Sequence, residues 1–235
     1  MKKILLIALF LVTTNFTIAK TRVIKKIISN SQIETMRMNV IEEEQFLFLY
    51  KKFELSDKID YRIFKMALKG YSKIENKKTP YLIIIDYTKP SSEKRFVVLN
   101  METKQLEDYT YVAHGRNTGV EMAISFSNKI NSYKSSLGFY LTGITYYGKY
   151  GYSLKIHGLE QHYNTNAYKR GVVIHGSDNS EEKYLKNYGF LGRTEGCPAL
   201  PTSLNRKIID KIKKGSVLFI FANDSKYIRD SHYIK

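Results

Sequence analysis

The sequence predicts an α+β fold that is mostly β, a sandwich or barrel domain preceded by a short helical segment. Three observations carry this expectation. Over 33–71 apolar residues recur at helical spacing. From Tyr81 onward the pattern changes to short apolar runs with glycines at the joints. The chain has 235 residues, about one to one and a half average domains, with no internal repeat and no linker-like shift in composition. One β-rich domain with a helical lead-in is the simplest organisation.

The N-terminus reads as a secretory signal over 1–19. Lys2 and Lys3 precede nine apolar residues, Ile4 to Val12, and Thr17-Ile18-Ala19 supplies small residues for cleavage. Nine apolar residues are too few to span a hydrocarbon core of about 30 Å as a helix. No cysteine follows the run and no later stretch reaches 18 apolar residues, so neither a lipid anchor nor a membrane span is expected after cleavage. The expected location is exported, in the periplasm or cell envelope. A basic lead-in and helical segment then occupies 20–78, a catalytic domain 79–225 and a polar tail 226–235.

Within the helical segment, Phe46, Leu47, Leu49, Tyr50 and Phe53 cluster at helical spacing. Glu42, Glu43 and Glu44 sit in an early turn, where the helix dipole favours anions. Ser56 is the expected N-cap of a second helix carrying Ile59, Ile63, Phe64, Ala67 and Tyr71 and ending near Gly70. Strands are expected at 81–87, 95–99, 106–113, 139–145, 153–156, 171–174 and 216–221. A last helix at 204–212 would be capped by Ser203 and closed by Gly215.

Composition narrows the function classes. Hydrophobic residues at 43% and charged residues at 26% exclude a disordered chain, and 4 Pro with 14 Gly exclude collagen-like and low-complexity classes. Lys and Arg number 38 against 22 Asp and Glu, a formal charge of +16. On an exported chain that charge suits a polyanionic envelope. The lysines are scattered with no basic arm, so no nucleic-acid partner is expected.

One cysteine rules out an internal disulfide. Cys197 lies in Gly192-Arg193-Thr194-Glu195-Gly196-Cys197-Pro198-Ala199-Leu200. Gly196 permits close backbone approach or positive φ, Pro198 excludes a helix interior, and Arg193 brings positive charge that favours a thiolate. These features point to a working thiol, which needs a base. Of five histidines, His232 lies in the polar tail. His175 ends a strand and opens into Gly176-Ser177, but His114 and His157 also stand in His-Gly pairs, and local pattern does not choose among them. Neither a His-Glu-x-x-His motif nor a second cysteine is present, so no metal site is expected.

His175-Gly176-Ser177, followed after 21 residues by Cys197 in Thr194-Glu195-Gly196-Cys197, resembles the His-Gly … Ser/Thr-x-Gly-Cys signature of the L,D-transpeptidases, the YkuD-like murein enzymes. Further matching segments are Ala113-His114-Gly115, Phe126-Ser127-Asn128, Ser135 to Tyr140, Gly158-Leu159-Glu160 and Asn164 to Ala167. The resemblance covers roughly 80–222. Three departures stand out. Ala199 occupies the position where many members have Arg, Ser135-Ser136-Leu137-Gly138 replaces Thr-Pro-x-Gly, and the His-to-Cys gap is longer.

The resemblance implies a β-rich fold around a narrow cleft, and a cysteine acyltransferase that needs no cofactor. The expected partners are peptidoglycan stem peptides, with carbapenems as acylating inhibitors. Cys197 would be the nucleophile and His175 the base. The backbone N–H groups of Cys197 and of Gly196 or Glu195 would serve the oxyanion, with a carbonyl of Gly176 or Ser177 orienting the histidine. Arg193, Thr194, Ser136, Tyr140 and His157 are the substrate-binding candidates, Arg193 replacing the missing Arg after the cysteine. An L,D-carboxypeptidase with the same residues and a non-catalytic wall-binding module are the alternative readings.

Overall fold

The computed structural model describes residues 29–235. The expected signal peptide over 1–19 and the first part of the basic lead-in, 20–28, lie outside the described residues. The chain divides into two units at Leu47/Phe48. The described part of the first unit is most of helix α1 (Asn30–Lys52), which leaves Met36, Met38, Val40 and Ile41 exposed. No helix among the described residues is long and apolar enough to cross a membrane.

In the second unit, the last turn of α1 meets helix α2 (Tyr61–Lys73) through aromatic contacts, with Tyr50 5.2 Å from Tyr61 and 5.6 Å from Phe64. The expected N-cap at Ser56 is displaced to Asp60, whose carboxylate accepts from the Arg62 N–H at 2.7 Å. Asp60 wins because it satisfies an orphan donor of the first turn. Ile63, Phe64, Ala67 and Leu68 form the buried face of α2, and the helix runs three residues past Gly70.

The strands are β1 (Tyr81–Asp86), β2 (Phe96–Asn100), β3 (Gln105–Thr110), β4 (Gly138–Gly148), β5 (Gly151–Gly158), β6 (Val173–Ser177), β7 (Ala199–Pro201) and β8 (Val217–Phe221). They form one mixed sheet in the order β3-β2-β1-β8-β4-β5-β6-β7. An antiparallel bridge between Ala113, just past β3, and Ala199 in β7 ties one edge of the sheet to the other. The sheet is therefore nearly closed, which removes most of the exposed edge. The fold is the expected α+β, mostly β, barrel-like architecture.

The middle of the sheet explains its continuous apolar runs. Leu82, Ile83, Ile84 and Ile85 of β1 and Leu218 and Phe219 of β8 are all fully buried, as the parallel β1–β8 pair requires with both faces covered. Phe139 of β4 stacks on Phe219 across the strand pair at 4.2 Å. Helix α4 (Thr202–Ile212) buries Ile208, Ile209 and Ile212. Ser203 is not its cap. Instead the Glu181 carboxylate accepts from the Ser203 N–H at 2.7 Å, a charge-assisted contact at the positive end of the helix.

Helices α3 (Glu182–Tyr188) and α5 (Ser225–Asp230) and strand β7 have no counterpart among the sequence expectations, being seven, six and three residues long. Residues 226–235, read from sequence as a tail, include the fully buried Tyr227, whose hydroxyl donates to Glu160 Oε2 at 3.0 Å.

Candidate active site

Strand register brings the histidine and the cysteine together. His175 in β6 pairs with Ser153 of β5 on one side and with Ala199 of β7 on the other. The β6–β7 pairing is parallel, so Cys197, two residues before Ala199, comes level with Val173. The Val173 N–H accordingly points at Cys197 Sγ, 3.4 Å away. Cys197 and His175 line the same cleft of about 320 Å³, with Tyr150, Arg116, Arg193 and Glu195 at its walls.

The loop before the cysteine is templated by Thr194. Its hydroxyl donates to the Cys197 carbonyl at 2.7 Å and accepts from the Gly196 N–H at 3.1 Å. The turn needs Gly196 at φ +120°, and a Cβ there would lie 2.8 Å from the Lys134 carbonyl oxygen. Backbone bonds from Thr194 N–H to the His114 carbonyl (2.9 Å) and from Arg116 N–H to the Thr194 carbonyl (2.7 Å) clamp this loop to the chain after β3. Ser135 completes the clamp, its hydroxyl accepting from Gly115 N–H and donating to the Gly196 carbonyl. Gly196→Ala is expected to lower stability by about 1–3 kcal/mol, read by denaturant unfolding. A loss inside about 0.5 kcal/mol, the range of ordinary surface changes, would contradict this account.

The electrostatics favour a neutral pair at rest. Burial pushes the Cys197 thiol above its ordinary value, with the Val173 N–H and the Arg170 guanidinium pulling the other way and Glu195 adding to the rise. Burial holds the His175 imidazole below its ordinary value, opposed by the Gly176 carbonyl. His175 Nδ1 donates to that carbonyl at 2.8 Å, which places the proton on Nδ1 because a carbonyl only accepts. The other ring nitrogen, Nε2, is buried with no hydrogen-bond partner among the described residues. A buried acceptor left unpaired costs about 1–3 kcal/mol, and it is a lone pair open to a proton. The Tyr150 ring stacks on the imidazole at 4.5 Å, and its hydroxyl donates to Glu195 Oε2 at 3.3 Å.

The other histidines are placed elsewhere. His114 is buried and engaged at both nitrogens, accepting from Arg95 at 2.8 Å and donating to the Gly119 carbonyl at 3.3 Å. Burial, with Arg95 beside it, pulls its pKa down to about 4. His157 is exposed in a separate groove, stacked on Tyr168.

Of the substrate-binding candidates, Arg193 and Thr194 line the cleft and Ser136, Tyr140 and His157 do not. Tyr140 faces the barrel interior, fully buried, with its hydroxyl spent on the Ser136 carbonyl. The Ser136 hydroxyl is spent on the Ser127 carbonyl and on Arg170. Thr194 shapes the loop through its hydroxyl, which donates to the Cys197 carbonyl and accepts from the Gly196 N–H, so that this N–H is taken. The Ser177 side chain accepts from the Asn179 N–H and caps a short 3-10 turn.

Three residues were missed by sequence reasoning. Arg170 stands behind the thiol and holds the Lys134 carbonyl and the Ser127 carbonyl, while Arg116 packs over the Tyr133 ring at 4.0 Å. Tyr150 is the third. None carries a local signal, since each acts through contacts distant in sequence. Among the described residues no group of three or more His, Cys, Asp or Glu is arranged to hold a metal ion.

Residues 55–221 match the family profile described as the L,D-transpeptidase catalytic domain. No curated protein matches the chain. Among solved structures, an L,D-transpeptidase from Mycobacterium smegmatis is 10% identical with a TM-score of 0.39, the match covering 61% of this chain and 59% of that one. One from Mycobacterium tuberculosis H37Rv is 12% identical with a TM-score of 0.40, covering 61% and 58%. An LD transpeptidase in complex with imipenem is 10% identical with a TM-score of 0.39, covering 60% and 59%. The chain thus spans less than two thirds of the length of these structures.

Proposed function

The chain belongs to the L,D-transpeptidase catalytic domain family, and on that premise we propose that it is an exported cysteine L,D-transpeptidase acting on peptidoglycan stem peptides through a thioester. The observation that carries this reading is the shared cleft, in which the thiol of Cys197 lies with a histidine whose Nε2 is buried and unpaired.

The chemistry follows from the resting charges. A tetrapeptide stem enters the cleft with the carbonyl at the L-centre of its third residue near Cys197 Sγ. His175 Nε2 takes the thiol proton as sulfur attacks that carbonyl. The Gly176 carbonyl stabilises the imidazolium that forms. The Cys197 and Glu195 N–H groups serve the oxyanion. Collapse breaks the amide bond, His175 returns its proton to the leaving D-alanine amine, and a thioester remains. An amine of a second stem attacks the thioester, His175 takes its proton, and the collapse that forms the 3→3 amide releases the cysteine.

Arg193 is exposed at the rim and forms no hydrogen bond or ion pair among the described residues, which suits it to a stem carboxylate. It thereby stands in for the arginine that Ala199 replaces. Export rests on the signal pattern over 1–19 and places the enzyme beside its substrate.

Mass spectrometry of muropeptides incubated with the protein tests the reading. Cross-linked 3→3 dimers are the expected product. Tripeptides alone would assign the L,D-carboxypeptidase reaction, and unchanged muropeptides would sink the enzymatic reading. Incubation with imipenem is expected to add the drug's mass to one residue, Cys197. Tryptic peptides carrying the adduct elsewhere, or no adduct at all, would count against a nucleophilic thiol.

A further inference from the structure

A second groove, of about 830 Å³, opens on the outer side of β4 and β5. Its walls include Lys78, Lys155, Lys214, His157 and Tyr168, and no Asp or Glu lines it. Among the described residues the three ammonium groups have no carboxylate partner. Lys155 Nζ lies 5.4 Å from the Tyr168 ring centroid and 5.5 Å from that of Tyr146. Tyr168 is 56% exposed, and one side of its ring is backed by His157 in a near-parallel stack at 5.4 Å. The floor is Gly143, where a Cβ would meet His157 Nε2 at 2.7 Å, so the hollow exists because that side chain is absent. A backed aromatic face with carboxylate-free cations around it is suited to a sugar ring carrying carboxylates nearby. The ring face attracts the polarised C–H edges of the sugar, and the lysines attract the carboxylates.

The position of the groove relative to the thiol is set by register. Val173 pairs with Lys155, and Ser153 with His175. By strand alternation Ser153, Lys155, His157, Val173 and His175 share one face. Cys197 is level with Val173, so Lys155 lies two strands across the sheet, about 10 Å away at the usual strand spacing, and Gly143 on β4 about 14 Å away. A stem of three extended residues reaches about 10 Å. With the third residue's carbonyl at the thiol, the sugar end of the same stem arrives at the groove.

We propose that this groove binds the amino-sugar end of the donor strand, with Tyr168 under the sugar ring and Lys155, Lys78 and Lys214 on the stem carboxylates. The proposal rests on the transpeptidase reading above. It makes the glycan-linked stem, rather than the free peptide, the preferred donor.

The experiment compares kcat/KM of the full-length protein for a disaccharide-tetrapeptide and for the same tetrapeptide without sugar. Wild type is expected to prefer the glycan-linked donor, and Tyr168→Ala combined with Lys155→Ala to reduce that preference about tenfold. Circular dichroism and imipenem acylation of the double variant establish that the fold and the thiol are intact. If wild type uses both donors equally, or if the double variant keeps the full preference, the groove assignment is overturned while the transpeptidase reading stands. If neither donor is processed, the reading fails and the groove assignment falls with it. A single Gly143→Val variant gives an independent measure, since filling the floor is expected to raise KM for the glycan-linked donor more than for the free peptide. Equal effects on the two would also overturn the proposal.

Discussion

Cys197→Ala is expected to abolish both cross-link formation and stem trimming, lowering kcat/KM by about 10⁴-fold or more. No other thiol exists in the chain to substitute for it. The fold should survive. The sulfur makes only long contacts, to the Val173 N–H at 3.4 Å and to the Gly171 carbonyl at 3.8 Å, and alanine occupies the same backbone conformation. A melting temperature within a few degrees of wild type, together with lost turnover, is the expected pair of results. Turnover near the wild-type rate would remove Cys197 from the mechanism. An inactive wild type that still binds wall fragments, with the variant binding equally well, would instead point to the wall-binding module.

His175→Gln should lower kcat/KM by about 10²–10⁴-fold, the usual worth of a positioned general base. Glutamine keeps a polar group against Gly176 but takes up no proton in this range of pH. The wild-type profile then acquires a specific shape. The reactive form has the imidazole neutral, and burial holds the His175 pKa below its ordinary value of 6.5. Rate is therefore lost as pH falls through a midpoint below 6.5, and it stays level from there through neutrality because the thiol's pKa is raised above its ordinary 9.0. An acidic midpoint at or above 7, or an unchanged acidic limb in His175→Gln, would show that another group sets the protonation step.

The parts of the fold legible in the sequence are those whose signal is local. Strands β1, β2 and β8 are apolar on both faces because they lie mid-sheet, so their runs stand out unaided. Helices α2 and α4 have one clear buried face each. Short elements without a continuous apolar run were not legible: α3 has no buried residue to set a period, and β7 exists only because β6 and Ala113 offer it partners. The N-cap of α2 went to Asp60 instead of Ser56, a choice between two capping residues four positions apart that only backbone geometry decides.

The candidate site divides in the same way. Cys197 was legible as the lone thiol in a Gly-Cys-Pro turn, and His175 as one of three His-Gly pairs. The three pairs look alike in sequence and differ in their surroundings. His114 is locked at both nitrogens by Arg95 and Gly119, His157 lies in the other groove, and His175 alone shares the thiol cleft. Tyr140 stands two residues from the Gly138 joint and resembles a cleft residue, yet strand alternation turns it into the barrel.

By itself, then, the sequence determined a strand-rich domain behind a helical segment, one thiol, a short choice of bases and a resemblance to the L,D-transpeptidases. Each of these rests on residue identity and near-neighbour pattern. Tertiary structure decided which histidine shares the thiol's cleft, which polar groups there remain unpaired among the described residues, and which candidates lie away from that cleft. Those properties depend on the parallel β6–β7 register and on contacts such as Arg170 to Lys134, 36 residues apart, which no local pattern encodes.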